Sequence, residues 1–193
     1  MKHGREIMDP VRFDLTLQRL TEQIIENYSQ FEELCLIGIQ PRGTILLRHI
    51  VERIEKREAS NPSTIFKTKI LQGHLDITFY RDDFRRREKI LTPSSNKMDF
   101  IIENRQVLLV DDVLYTGRTI QAALNALQHY GRPSTIKLLA LIDRQFNRHL
   151  PIQCDYKGME VDSVDNAYVR VYWGVGDAQN RVVLYDSKEQ EDE

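Results

Sequence analysis

The sequence predicts an α/β fold with a mainly parallel, twisted sheet flanked by helices. Short continuous apolar runs indicate strands buried on both faces, and amphipathic segments at helical spacing lie between them. Strands that alternate with helices require right-handed crossover connections, which make neighbouring strands parallel. The 193 residues and the hydrophobic share of 41% fit one ordered globular domain spanning residues 1–193. Ligands of such sheets gather at the carboxyl ends of the strands.

The first half of the chain predicts a helix, a strand and a second helix, followed by two strand pieces. Apolar residues at helical spacing place the helices at about residues 14–31 and 44–57, with the apolar run 34–39 as a strand between them. Residues 65–80 are rich in β-branched and aromatic side chains and are interrupted at Gln72 and Gly73. The alternating stretch 75–80 is therefore predicted to be a strand.

The second half predicts a strand at 107–110, a helix at 119–130 and further strands at 136–142, 168–173 and 182–185. Gly131 and Pro133 are placed to end that helix. The polar stretch 81–104 is long for a connection in a compact domain, so it is either a functional lid or a solvated excursion. The acidic tail 187–193 is expected to fray.

Several function classes are excluded by composition. The two cysteines, Cys35 and Cys154, form no metal-ligand spacing, and the five histidines form no zinc motif. No apolar run reaches the ~20 residues of a membrane-spanning helix, and the N-terminus lacks the apolar stretch of a signal peptide, so we expect a cytoplasmic protein without membrane contact. The formal charge of −2 gives no overall electrostatic footprint for nucleic acid.

The most informative segment begins where the apolar strand 107–110 is followed by Asp111 and Asp112. It continues as a turn into a helix, which we name the phosphate loop: Val113, Leu114, Tyr115, Thr116, Gly117, Arg118 and Thr119. Hydroxyls, a glycine and the first N–H groups of a helix form a phosphate site, and carboxylates a few residues upstream accept hydrogen bonds from sugar hydroxyls. The pattern indicates a ribose 5-phosphate site. Taken singly, the acid pair ends a strand and the threonines cap a helix.

Known nucleotide motifs do not explain this segment. No G-x-G-x-x-G opens a strand-to-helix turn and no P-loop motif occurs. The segment resembles the motif of the type I phosphoribosyltransferases that binds 5-phosphoribosyl 1-pyrophosphate (PRPP). Within that superfamily the chain resembles the bifunctional pyrimidine operon attenuation protein/uracil phosphoribosyltransferase family over about residues 15–171. The supporting segments are 38–43, 75–83, 111–119, 131–134 and 143–152.

The resemblance implies roles for particular residues. Pro41, Arg42 and Gly43 match the family's pyrophosphate loop, and Asp143 and Arg144 begin a hood region, 143–165, that surrounds the base. The flexible loop, 81–104, is rooted at Tyr80, Arg81, Asp82 and Asp83. Asp111, Asp112 and Arg42 are the implied catalytic residues, and Asp111 or Asp112 would reach Mg²⁺ directly or through water.

The implied reaction joins PRPP and a nucleobase, with uracil as the expected base, to give a nucleoside 5′-monophosphate and pyrophosphate. The sequence departs from the family at 145–149 and 158–163, beside the implied base region, and carries Glu22 where RNA-binding members have a histidine. The alternative function is a non-catalytic nucleotide-sensing or RNA-binding regulator of pyrimidine genes. RNA binding is expected to be weak. We also expect a homo-oligomer, a dimer.

Overall fold

The computed structural model describes residues 4–28, 33–60, 70–80, 98–146, 148–162, 167–174 and 179–186. Among these residues, 3-10 helices occur at Thr78–Tyr80 and Gln128–Tyr130. The described strands and α-helices follow in this order: β1 (Arg5–Met8), α1 (Pro10–Asn27), β2 (Leu34–Ile39), α2 (Gly43–Ser60), β3 (Leu71–Leu75), β4 (Gln106–Leu114), α3 (Arg118–Leu127), β5 (Thr135–Arg144), β6 (Tyr156–Val161), β7 (Tyr168–Tyr172) and β8 (Arg181–Tyr185).

The main sheet is parallel and has the order β3-β2-β4-β5-β6. Strand β2 is covered on both faces of this sheet. All six of its residues are buried, with Leu34 and Leu36 in the core beneath α1 and α2, and Cys35 and Ile37 in the core beneath α3. A strand covered on both faces is a continuous apolar run. The predicted α/β fold class with a mainly parallel sheet is confirmed.

Helix α1 begins earlier than its apolar periodicity predicts. Asp9 is the N-cap, with its side chain accepting a hydrogen bond from the N–H of Arg12 at 2.9 Å, and Pro10 opens the first turn. Both residue types suit these positions, because the cap satisfies a free N–H and proline has none to satisfy. The helix ends at Asn27 rather than near residue 31.

A second, three-stranded antiparallel sheet has the order β1-β8-β7. Strands β7 and β8 match the predicted strands near the end of the chain, but they do not join the parallel sheet. Val169, Val171 and Val182 are buried in the core that also holds the apolar faces of α1 and α2. Strands β1 and β6 are not among the predicted strands. Part of the predicted hood region therefore forms β6, an edge strand of the main sheet.

The predicted strand at 75–80 is wrong. Strand β3 ends at Leu75, and the carboxylate of Asp76 accepts hydrogen bonds from the N–H of Thr78 at 2.7 Å and from its hydroxyl at 2.5 Å. This local pairing forms a turn into the 3-10 helix and takes the place of strand pairing.

Several predicted features lie outside the described residues. They include Arg81, Asp82 and Asp83, most of the predicted loop 81–104, the end of the hood region and the acidic tail 187–193. In the part of the chain that the structure describes, no helix is both long and apolar enough for a membrane span.

Candidate active site

The two carboxylates of the phosphate-loop motif lie within β4. The predicted end of this strand at residue 110 is wrong, because β4 continues through Leu114 in register with β5. Asp111 and Asp112 are only 7% and 6% exposed. Since successive strand residues point to opposite faces, the two side chains leave β4 on opposite sides of the sheet.

The Asp112 carboxylate is buried beside one cation. Its Oδ2 is buried and makes no hydrogen bond to the described residues, and the nearest cation, Nη1 of Arg42, is 3.8 Å away. That distance is too long for a hydrogen bond but close enough for charge attraction. Burial raises the pKa of Asp112, and the Arg42 guanidinium and backbone hydrogen bonds from Val113 and Asp112 oppose this shift. Asp111 accepts a hydrogen bond from the N–H of Asp112 at 2.9 Å.

The phosphate loop turns from β4 into the N-terminus of α3. Gly117 is the N-cap and has a φ of 88°, a left-handed conformation that favours glycine. The hydroxyl of Thr116 lies 3.4 Å from the N–H of Arg118. The first turn of α3 contains no acidic residue, so the positive end of the helix dipole is not neutralised there. Of the predicted phosphate-binding residues, Val113 and Leu114 therefore end β4, residues 115–117 form the turn, and Arg118 and Thr119 begin α3.

The predicted pyrophosphate loop packs directly on the acid-bearing strand. It follows β2, and the carbonyl oxygen of Arg42 accepts the N–H groups of Ile45 and Leu46 as α2 begins. A Cβ on Gly43 would overlap the carbonyl oxygen of Val110, immediately before Asp111. Glycine is required for this close approach, which brings Arg42 beside Asp112.

The predicted base-side residues lie at the end of β5, at the same edge of the sheet. Asp143 and Arg144 are both buried. The Arg144 guanidinium lies over the ring of Tyr115, 3.8 Å from its centroid, and Asp143 forms an ion pair with Arg148. Arg144 therefore contacts the phosphate loop directly. Asp143 is linked to that loop through Arg148.

Arg148 is not among the predicted site residues, but the structure places it next to the site. Its guanidinium donates to the carbonyl oxygen of Tyr115 and to the carboxylate of Asp143. A basic residue in the segment 145–149, where the chain departs from the family, was the available signal. Its contacts depend on the path of the β5–β6 connection, which local pattern does not give.

Of the four residues predicted at the root of the flexible loop, Tyr80 alone lies within the described ranges. It ends the 3-10 helix after β3, and its ring centroid lies 5.7 Å from that of His129, just beyond α3. Tyr80 therefore lies on the side of the sheet that α3 covers.

Comparison with known proteins agrees with this geometry. The family model of the phosphoribosyl transferase domain matches residues 6–175. The chain belongs to the phosphoribosyltransferase family. A bifunctional protein PyrR from Caldicellulosiruptor bescii is 43% identical over 184 residues, covering 95% of this chain and 96% of that protein. One from Gloeothece citriformis is 42% identical over 179 residues, covering 93% and 96%.

Solved structures support the same fold. A hypoxanthine-guanine-xanthine phosphoribosyltransferase superposes with a TM-score of 0.64 at 17% identity, covering 98% of each chain. A hypoxanthine phosphoribosyltransferase from Staphylococcus aureus gives 0.61 at 17% identity, covering 87% of this chain and 81% of that one. The resemblance drawn from the sequence is confirmed at the level of family and fold.

Proposed function

We propose that this phosphoribosyltransferase transfers the phosphoribosyl group of PRPP to a nucleobase, with uracil as the expected base. The observation that carries the proposal is that the pyrophosphate loop and the phosphate loop meet at the carboxyl ends of β2 and β4. Gly43 packs on β4 beside Asp111, which brings Arg42 within 3.8 Å of Asp112, and the same strand leads to the N-terminus of α3. A cation, two carboxylates and a helix N-terminus match the pyrophosphate, ribose hydroxyls and 5′-phosphate of PRPP.

Each group has a task in a displacement at C1 of the ribose. The N–H groups of Gly117, Arg118 and Thr119 would hold the 5′-phosphate, because the N–H groups of a first helical turn and the helix dipole favour an anion there. Asp111 and Asp112 would accept the ribose hydroxyls and stabilise the positive charge that develops on the sugar. Arg42 would bind the departing pyrophosphate. No covalent nucleophile is needed, so positioning and charge stabilisation account for the rate.

The acid pair also fits Mg²⁺. The unpaired Oδ2 of Asp112 and the adjacent carboxylate of Asp111 are oxygen ligands of the type that Mg²⁺ prefers. The described residues offer no cluster of three or more His, Cys, Asp or Glu side chains, so substrate oxygens and water would complete the shell. Asp111 or Asp112 would hold the ion directly or through water. When bound, it would neutralise charge on the pyrophosphate.

The alternative, a non-catalytic regulator that binds nucleotide or RNA, is favoured by one observation: the relatives are named bifunctional. The surface of α1 supports only weak RNA binding. The guanidinium of Arg19 donates to the carbonyl oxygens of Lys157 and Gly158, and Glu22 forms an ion pair with Arg57 at 3.2 Å. Cations already paired within the protein gain less from a phosphate backbone.

An assay with radiolabelled uracil, PRPP and Mg²⁺ separates these functions. The proposal expects labelled UMP that requires both PRPP and the ion, with cytosine, hypoxanthine and guanine as competing bases to test specificity. Formation of a nucleotide from another base would correct the substrate but keep the reaction. If no base is converted while calorimetry detects UMP binding, the regulator is the better account.

A further inference from the structure

The connection between β5 and β6 braces the phosphate loop. We name Arg148, His149, Leu150 and Ile152 the brace. Arg148 donates to the carbonyl oxygen of Tyr115, and the N–H of His149 donates to the carbonyl oxygen of Thr116 at 3.0 Å. A Cβ on Gly117 would lie 3.3 Å from both Leu150 and Ile152, so these side chains also limit where the loop can move.

Holding these two carbonyl groups sets the direction of the next two N–H groups. A peptide unit is planar and trans, so its C=O and N–H point in opposite directions. The carbonyl groups of Tyr115 and Thr116 point towards the brace. The N–H groups of Thr116 and Gly117 therefore point away from the brace.

The Arg148 side chain suits this task because of its shape and surroundings. Its guanidinium is a rigid planar fork, and one nitrogen binds Tyr115 while the other binds Asp143. The side chains of Arg148 and Asp143 are 18% and 6% exposed, so solvent screens this pair weakly. Asp143, fixed at the end of β5, thus anchors Arg148 against the loop.

We propose that Arg148 is a positioning residue for the 5′-phosphate: it orients the phosphate-loop N–H groups without touching substrate. The inference rests on the proposed function and adds to it a residue that acts through the backbone of Tyr115. It predicts a selective defect, because among the described residues no hydrogen bond or ion pair joins Arg42 of the pyrophosphate loop to the brace.

Calorimetry with two probes, ribose 5-phosphate and pyrophosphate with Mg²⁺, tests the proposal on the full chain. Arg148→Gln is expected to raise the Kd for ribose 5-phosphate about tenfold, the size expected when a charge-assisted hydrogen bond is lost, and to change the Kd for pyrophosphate less than twofold. In the enzyme assay, the KM for PRPP should rise similarly while kcat stays within about twofold. Arg148→Lys should recover part of the affinity because it keeps the charge opposite Asp143.

Arg53→Gln is the matched control. The Arg53 side chain is 24% exposed and is ion-paired with Asp14 between α1 and α2, away from the brace. It should leave both Kd values unchanged. Unchanged ribose 5-phosphate affinity in Arg148→Gln, or equal loss for both probes, would overturn the proposal. If Arg148→Gln does not fold, Arg148→Lys is judged by the same selectivity. If the wild-type protein binds neither probe, the proposed function itself fails.

Discussion

Replacing Asp112 with asparagine should stabilise the ligand-free protein while removing its proposed activity. The Asp112 carboxylate is 6% exposed, and its Oδ2 makes no hydrogen bond to the described residues. Burying a carboxylate costs several kcal/mol. Its attraction to Arg42 at 3.8 Å is about 4 kcal/mol at an effective dielectric constant of about 20.

Solvent reduces that attraction, because the Arg42 side chain is 36% exposed. An ion pair with one exposed partner contributes about 1 kcal/mol or less, so the desolvation cost exceeds it. Asparagine keeps one oxygen acceptor and removes the charge. We expect a net gain of about 1 kcal/mol, which for a chain of this size raises the Tm by about 2–4 °C.

The gain should depend on pH in a defined direction. The pKa of Asp112 is raised above its ordinary value of 3.8 in the folded protein, so its ionisation costs stability as pH rises through the folded pKa. Thermal melts followed by circular dichroism should show the largest difference between Asp112→Asn and wild type at neutral pH. The difference should shrink as pH falls towards 4.

Asp143→Asn is a control with the opposite sign. Asp143 is also buried and at the end of a strand, but it forms an ion pair with Arg148, which the substitution would leave uncompensated. It should lower the Tm. A fall of 2 °C or more for Asp112→Asn, or a gain that does not change with pH, would refute the electrostatic account of the site.

Three further predictions follow from the site and its surroundings. Asp111→Asn combined with Asp112→Asn should lower kcat at least 100-fold in the UMP assay, since both proposed charge-stabilising groups are lost; near wild-type turnover would contradict their role. Gly43→Ala should destabilise the fold by more than about 2 kcal/mol in urea unfolding, because its Cβ would overlap a β4 carbonyl; a stable variant would contradict that packing. In filter binding at physiological salt, a pyrimidine-leader hairpin should bind weakly with little effect of UMP, and Glu22→Gln should strengthen binding by freeing Arg57; nanomolar, UMP-stimulated affinity of the wild type would show that the α1 surface is a regulatory site.

The features that local pattern predicts are the buried strands and the phosphate loop. A run such as 107–110 is recognisable because it is apolar throughout, and the turn at Gly117 needs a residue type that the sequence displays. The extension of β4 through Asp111 and Asp112 was missed, because it depends on pairing with β5, where Val113 lies opposite Ile142. Carboxylates in a row do not by themselves indicate a strand.

The missed elements depend on contacts between distant parts of the chain. Strand β1 is four residues long and pairs with β8 near the other terminus, so its own sequence carries little periodicity. Strand β6 lies at the sheet edge and alternates only partly between buried and exposed residues. The link from Arg148 to Tyr115 joins residues 33 positions apart. Such pairings follow from the completed fold and are not visible in local sequence.

The central claim is that the carboxyl ends of the parallel strands bind a phosphoribosyl group in a fixed orientation. A crystal structure with UMP tests this claim most directly. The account predicts the 5′-phosphate within hydrogen-bond distance of the backbone N–H groups between Thr116 and Thr119, and the ribose hydroxyls against Asp111 and Asp112. A phosphate bound elsewhere, or a ribose turned away from both carboxylates, would contradict it.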